Sequence, residues 1–265
     1  MSVEIYSAVA VAFYGIGVLC QWLRIQGRAV KQPVVWLLAM AGAITQTFSI
    51  YYIIHPDAGI NLNFYAVGSL CCWLVTLILL LSSLRKPVEN LFVIVLPMAI
   101  LAILTSTFLP ARPALLSNRT SGMVAHVLVS VLAYSMLTVA AIQAVLLAYQ
   151  ENHLKHHRHS NSIIRAFPPM QTMEKLLFEF LWVGLILLTL SLASGFLYLH
   201  DAFVQHVAHK TILSVLAWIL FVILLAGRRV LGWRGQTATR WTLSGFTFLM
   251  LAFFGSKFVM DLMIN

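Results

Sequence analysis

The chain has 265 residues, 61% of them hydrophobic and 9% charged, with a formal net charge of +9. A water-soluble domain carries roughly a quarter charged residues, so this composition excludes one: the apolar surface would have nowhere to go. The positive charge does not point to nucleic acid, because the Lys and Arg residues are parcelled out between apolar runs and form no single patch.

A helix needs roughly 20 apolar residues to cross hydrocarbon. In chain order the stretches that meet this are 5–23, 34–54, 64–84, 91–109, 124–149, 176–199, 211–226 and 242–264. None shows the alternation of a membrane β-barrel. The expected fold class is therefore an all-α membrane protein, a bundle of about eight transmembrane helices in a single polytopic domain over residues 1–265.

The first run follows Met-Ser-Val-Glu, with no basic n-region and no small-residue cleavage site, so it reads as a retained helix. Arg24, Arg28 and Lys31 follow it, Arg85 and Lys86 follow the third run, and Lys155, Arg158 and Arg165 follow the fifth. Arg228, Arg229, Arg234 and Arg240 follow the seventh, whereas the opposite loops hold little beyond Arg112, Arg119 and Lys210. The positive-inside rule then puts the loops after odd-numbered helices in the cytoplasm and both termini outside. Cys20, Cys71 and Cys72 lie in apolar runs without a C-x-x-C pair, which argues against thiol–disulfide chemistry and against covalent haem attachment to this chain.

After the fifth run, ENHLKHHRHSNS brings His153, His156, His157 and His159 beside Lys155 and Arg158. A His-rich tract can bind metal, but the flanking cations repel a divalent ion and favour a solvated basic loop near lipid headgroups. The chain has no phosphate-cradling Gly-rich loop, no nucleophile elbow and no H-E-x-x-H, so it lacks the signatures of an ATP-driven machine or a hydrolase.

Histidine in or beside a spanning helix is expensive and points to function. His126 opens the fifth helix, and His209 opens the seventh in the string HKTILSVLAW. Both helices run inward, so the two imidazoles share one outer depth and can serve as an axial pair for haem iron. A spacing of four puts His126, Ser130, Tyr134 and Thr138 on one stripe, which must face protein or a cavity. Lys210, Ser214 and Trp218 form a second stripe; Lys210 suits a haem propionate and Trp218 the face of the macrocycle. In the last run Lys257 lies one turn from Asp261 and is another candidate for a propionate or a substrate carboxylate. Spacing alone also allows the bland alternatives: hydrogen-bonded packing histidines, a snorkelling lysine, a packed tryptophan and a structural ion pair.

Several strings carry a family resemblance. His126-Val-Leu-Val-Ser-Val-Leu-Ala-Tyr134 resembles the HV…S…Y helix of the cytochrome c assembly family, which includes the CcsA, ResC and CcmC-like haem-handling proteins. LILLTLSLASG (185–195) resembles that family's LTLGIISG helix. HKTILSVLAW and GRRVLGWRG (227–235) stand where the family has a PKET…W helix and an R…GWRG segment, and Asn61-Leu-Asn-Phe-Tyr…Trp73 is weakly similar to a further helix. The resemblance runs from about residue 60 to residue 265 and is closest to the YpjD/HemX-like branch, through HKT, GWRG and FGSKFVMDL.

The resemblance implies an inner-membrane protein of a bacterial cell that binds haem at its outer face and assists cytochrome c assembly. It aligns His126 with an outer haem-ligating histidine; His209 is proposed from topology. The departures matter. The tryptophan-rich WGxxWxWD loop of the synthetases is replaced by FLYLHDAFVQHVA, and the inner LHxR string by Leu-Ala-Gly-Arg at 225–228. A second outer histidine has no counterpart after Gly245. The expectation is thus a haem-handling protein that is not a complete haem lyase and carries no catalytic residues of its own. His126 and His209 are the expected iron ligands of a non-covalent haem b, with Ser130, Tyr134, Lys210, Trp218 and Lys257 around it. Expected partners are membrane lipid and cytochrome c assembly proteins or an apocytochrome, and not nucleic acid. The alternative is a cofactor-free accessory or regulatory subunit of a transporter or of a haem-biosynthetic enzyme. A secondary transporter is disfavoured, since only Glu179 and Lys257 approach mid-membrane.

Overall fold

The computed structural model describes residues 3–56, 61, 63–109, 121–155, 168–198 and 205–255, the side chains at 121, 198, 205–209, 254 and 255 excepted. Among them are the helices α1 (Val3–Ile25), α2 (Gln32–Ile54), α3 (Phe64–Ser83), α4 (Phe92–Phe108), α5 (Ser121–Lys155), α6 (Met170–Tyr198), α7 (Gln205–Val230) and α8 (Gly235–Met250). A 3-10 turn, Glu89–Leu91, leads into α4, and a π turn, Leu251–Gly255, follows α8. The chain is an all-α membrane bundle. Seven of its described helices are long and apolar enough to cross a bilayer. The eighth, α8, has 16 described residues, short of the roughly 20 that a span needs.

Several boundaries differ from the apolar runs. α5 continues past 149 to Lys155, α6 begins at Met170 and not at 176, α7 runs from Gln205 to Val230 and not from 211 to 226, and α8 begins at Gly235 and not at 242. A helix closes its own backbone hydrogen bonds, so it continues through polar residues at headgroup depth where the hydropathy signal has already stopped. His209 and Lys210 therefore lie one turn inside α7, not at its mouth.

The helices group into two compact units. In the first, α1 packs on α2 and α4, and α3 packs on α2 and α4, closing a four-helix ring. Asn63 caps α3 by accepting a hydrogen bond from the Ala66 amide at 2.7 Å. Arg24 at the end of α1 meets Glu89, just before α4, at 2.5 Å. That contact puts the α1–α2 and α3–α4 connections at the same end, as the shared basic character of those loops predicts.

Polar side chains inside this ring are paired. Tyr14 donates to Gln46 Oε1 at 2.8 Å, and Gln46 Nε2 reaches the Ser69 hydroxyl at 3.3 Å. Ser7 lies 2.7 Å from Ser49 and 2.9 Å from Thr107. The Tyr14 ring sits on Gly42, where a Cβ would fall 2.4 Å from it. A Cβ at Gly15, one position along α1, would meet nothing within 4 Å. Gly42→Ala is therefore expected to lower stability by about 1–3 kcal/mol through overpacking. Gly15→Ala should be neutral or stabilising by up to about 1 kcal/mol through helix propensity. Thermal unfolding in detergent separates the two; equal midpoints would refute the packing account.

The second unit repeats the arrangement. α5 packs on α6 and α8, and α7 packs on α6 and α8. Gln143 near the end of α5 donates to the Met173 carbonyl near the start of α6, and Arg228 near the end of α7 pairs with Glu174, so α6 runs antiparallel to both. α5 and α7 are then the diagonal, parallel pair of the ring, with their N-termini at one end.

The GRRVLGWRG string is the turn that joins α7 to α8. Gly227 gives the Trp233 indole a seat, since a Cβ there would come within 2.5 Å of the ring. Gly232 and Gly235 adopt φ of 67° and 52°, a left-handed backbone that suits glycine. Arg228 donates to the Trp233 carbonyl at 3.1 Å, and Trp233 stacks on Trp241 with ring centres 5.2 Å apart.

Candidate functional site

His126 lies on the second turn of α5 and faces α6. Its Nδ1 is 3.0 Å from Ser194 Oγ, and its ring lies over Gly195, where a Cβ would stand 3.1 Å from Cε1 and 3.9 Å from Nε2. A bulkier residue at 195 would push the ring away. One turn deeper, Ser130 donates to the His126 carbonyl at 2.6 Å and lies 2.7 Å from Ser191 Oγ.

The partners of Ser194 favour one tautomer. A serine hydroxyl carries one hydrogen, and Ser194 directs its hydrogen to the Ser191 carbonyl at 2.9 Å. With that hydrogen so directed, Ser194 Oγ accepts from His126 Nδ1–H. In that tautomer Nε2 keeps its lone pair. A neutral imidazole held by Nδ1–H with Nε2 free is the form that ligates a metal.

The rest of the α5 stripe faces protein, as its spacing predicts. Tyr134 is buried, donates to the Met250 thioether on α8, and stacks on Phe253 with centres 5.3 Å apart. Thr138 is buried and donates to the Tyr134 carbonyl at 2.8 Å. On α7, Trp218 donates its indole N–H to Thr189 Oγ1 of α6 at 2.8 Å. Trp218 thus lies against α6, about three turns of α7 beyond His209. Lys210 is half-buried.

The backbone puts His209 on the second turn of α7, at the same end of the ring as His126 and on the diagonal helix. By helix rise the two residues are about 6 and 8 Å from their helix starts. The His209 side chain and the whole of Lys257 and Asp261 lie outside the described residues, as do His156, His157 and His159. His153 falls in the last turn of α5, its ring 5.1 Å from that of Tyr149.

Three residues of this site went unread in the sequence: Ser191, Ser194 and Gly195. Their S-x-x-S-G spacing puts them on one face of an otherwise apolar helix, a small-residue pattern that marks close helix approach in membranes. Met250 carries no such signal; only folding brings it to Tyr134.

Comparison with known proteins agrees with this architecture. The family described as "Cytochrome C assembly protein" matches residues 34–264, so the similarity begins in α2, one helix earlier than the motifs suggest. The Inner membrane protein YpjD of Escherichia coli (strain K12) is 32% identical over 206 residues, covering 78% of this chain and 78% of that protein. An "Uncharacterized 28.8 kDa protein in nifR3-like 5'region" of Azospirillum brasilense is 33% identical over 142 residues, or 53% of this chain and 52% of that one. No solved structure matches. With its apolar helices and a family match across nearly its whole length, the chain is a multi-pass inner-membrane protein that belongs to the cytochrome c assembly family.

Proposed function

We propose that this protein binds haem b non-covalently between the N-terminal ends of α5 and α7 and assists cytochrome c assembly, without being a complete haem lyase. The observation that carries the reading is His126: its Nδ1 is engaged by Ser194, and its ring packs on Gly195, where a side chain would displace it. Fixing the second nitrogen sets both tautomer and ring orientation, the usual preparation of a metal-ligating histidine. Diagonal helices of a four-helix ring are also a common setting for a cofactor between two side chains.

In this reading His126 and His209, on the parallel helix, would hold the haem iron. Lys210 neutralises a propionate, Ser130 braces the turn below His126, and Trp218 and Tyr134 close the bundle beneath the site. Lys257 is a second cation for a propionate. Haem bound there supplies an iron centre whose axial ligands can be exchanged during transfer. The chain's own part is to bind, orient and exclude water. Both termini and this end of the second unit face outward, following the Lys and Arg asymmetry.

The assembly role is tested by deleting the protein from its native cell and measuring covalently haem-labelled cytochromes c by in-gel peroxidase staining. A fall that is restored by the wild-type chain, and not by His126→Ala, is expected. Unchanged cytochrome c would overturn the assembly role while leaving haem binding to be measured separately.

A further inference from the structure

At the opposite end of the second unit, the last turns of α5 and the first turns of α8 leave an open groove of about 400 Å³. Ala148, Tyr149 and Asn152 line it from α5, and Gln236, Thr239 and Arg240 from α8. Every polar member can donate a hydrogen bond, and none is a carboxylate.

Two observations point to a missing anionic partner. Thr239 is only 4% exposed, yet its hydroxyl has no hydrogen-bond partner. A buried hydroxyl left unpaired costs about 1–3 kcal/mol, so a ligand oxygen in the groove would relieve it. The second observation is Arg240, which is exposed and has no ion-pair partner among the described residues. Glu151, beside Asn152 in the chain, pairs with Lys155 through Oε1 at 2.8 Å, and its Oε2 is buried against Gly235. Of the neighbouring arginines, Arg228 pairs with Glu174 and Arg229 lies over the Trp182 ring at 4.7 Å, while Arg234 lies outside the groove lining.

We propose that this groove binds the phosphodiester of an anionic phospholipid headgroup. A guanidinium with amide and hydroxyl donors around it matches a tetrahedral group rich in acceptor oxygens, and arginine engages phosphate through two parallel N–H bonds. The site lies where the apolar span of α5 ends, the depth of the headgroups, and Tyr149 is the kind of aromatic residue found at that boundary. From Tyr149 an acyl chain can run along Ala148 and the exposed Val145, one turn closer to the membrane core. Arg240, the one charged residue lining the groove, favours a lipid of net negative charge over a zwitterionic one. The assignment is independent of haem.

The test uses the full chain, stripped of lipid in detergent and then offered phosphatidylglycerol, phosphatidylcholine of the same chain length, or inorganic phosphate. Native mass spectrometry reads the retained lipid, and thermal unfolding reads the stabilisation. Phosphatidylglycerol should be retained and should raise the unfolding midpoint. Arg240→Gln should weaken that retention roughly ten-fold, as expected for losing a charge-assisted hydrogen bond. Thr239→Val should weaken it less, and Arg234→Gln, which removes the same charge outside the groove, should leave it intact. Equal losses for Arg240→Gln and Arg234→Gln would mean a diffuse basic surface and overturn the site. An equal shift from inorganic phosphate alone, or equal retention of phosphatidylcholine, would overturn the lipid assignment.

Discussion

Replacing His126 with alanine is expected to remove one strong-field ligand from the haem iron and to turn a low-spin absorption spectrum towards high spin. The missing ligand is small, so imidazole added in solution should restore part of the low-spin signal. His209→Ala should do the same if the two histidines form the axial pair. Two substitutions on α6 probe the preparation of the ligand separately from the ligand itself. Ser194→Ala removes the group that accepts from Nδ1–H, and losses of roughly 10–100-fold in affinity are usual for such partners. Gly195→Val puts bulk where even a Cβ would come within 3.1 Å of the ring, and it should displace His126 and lower occupancy. Lys210→Ala should lower occupancy and leave the spin state of the remaining haem as it was, because no iron ligand is lost. If His126→Ala and His209→Ala both leave spectrum and occupancy intact, the proposed pair is wrong and HKT is a helix and packing motif.

The second large effect concerns the fold. Arg228 holds Glu174 at 2.5 Å, donates to the Trp233 carbonyl at 3.1 Å and lies 4.6 Å from the centre of the Phe178 ring. Both members of the pair are mostly buried, so removing the arginine leaves a carboxylate in poor solvent. Arg228→Ala is expected to cost about 3 kcal/mol, near the lower bound for breaking a buried pair. Arg228→Lys keeps the charge and loses the planar fork, and it should fall between. The double change Arg228→Met with Glu174→Leu should recover much of the loss, because no charge is then stranded. Thermal unfolding in detergent measures all three. An Arg228→Ala midpoint equal to wild type would show that the pair contributes nothing.

How far the sequence carries depends on which force places the residue. Apolar runs of spanning length are set by the bilayer, so all eight helices were legible. The end of α5 and the starts of α6, α7 and α8 were not, because hydropathy reports lipid exposure while helix length follows backbone hydrogen bonding. In the site, Ser130 and Tyr134 followed from His126 by the spacing of four. Ser194 and Gly195 lay in a string noticed only for its resemblance, and their meaning appears when α6 is laid against α5. GRRVLGWRG shows the same gap. It was recognised as a string, and the structure supplies the physical reason: a tryptophan seated on Gly227 and two left-handed glycines that turn the chain into α8. Trp218 was read as a surface for the macrocycle, and its indole N–H is engaged by Thr189 of α6.

The central claim is that this chain holds haem, and the absorption spectrum of the purified, detergent-solubilised wild-type protein tests it most directly. The account predicts a Soret band that copurifies with the protein, with low-spin features that shift in His126→Ala and haem that is released by acidified organic solvent because no covalent bond holds it. A colourless protein that also fails to take up added haem would contradict the account and favour a cofactor-free accessory role in the membrane.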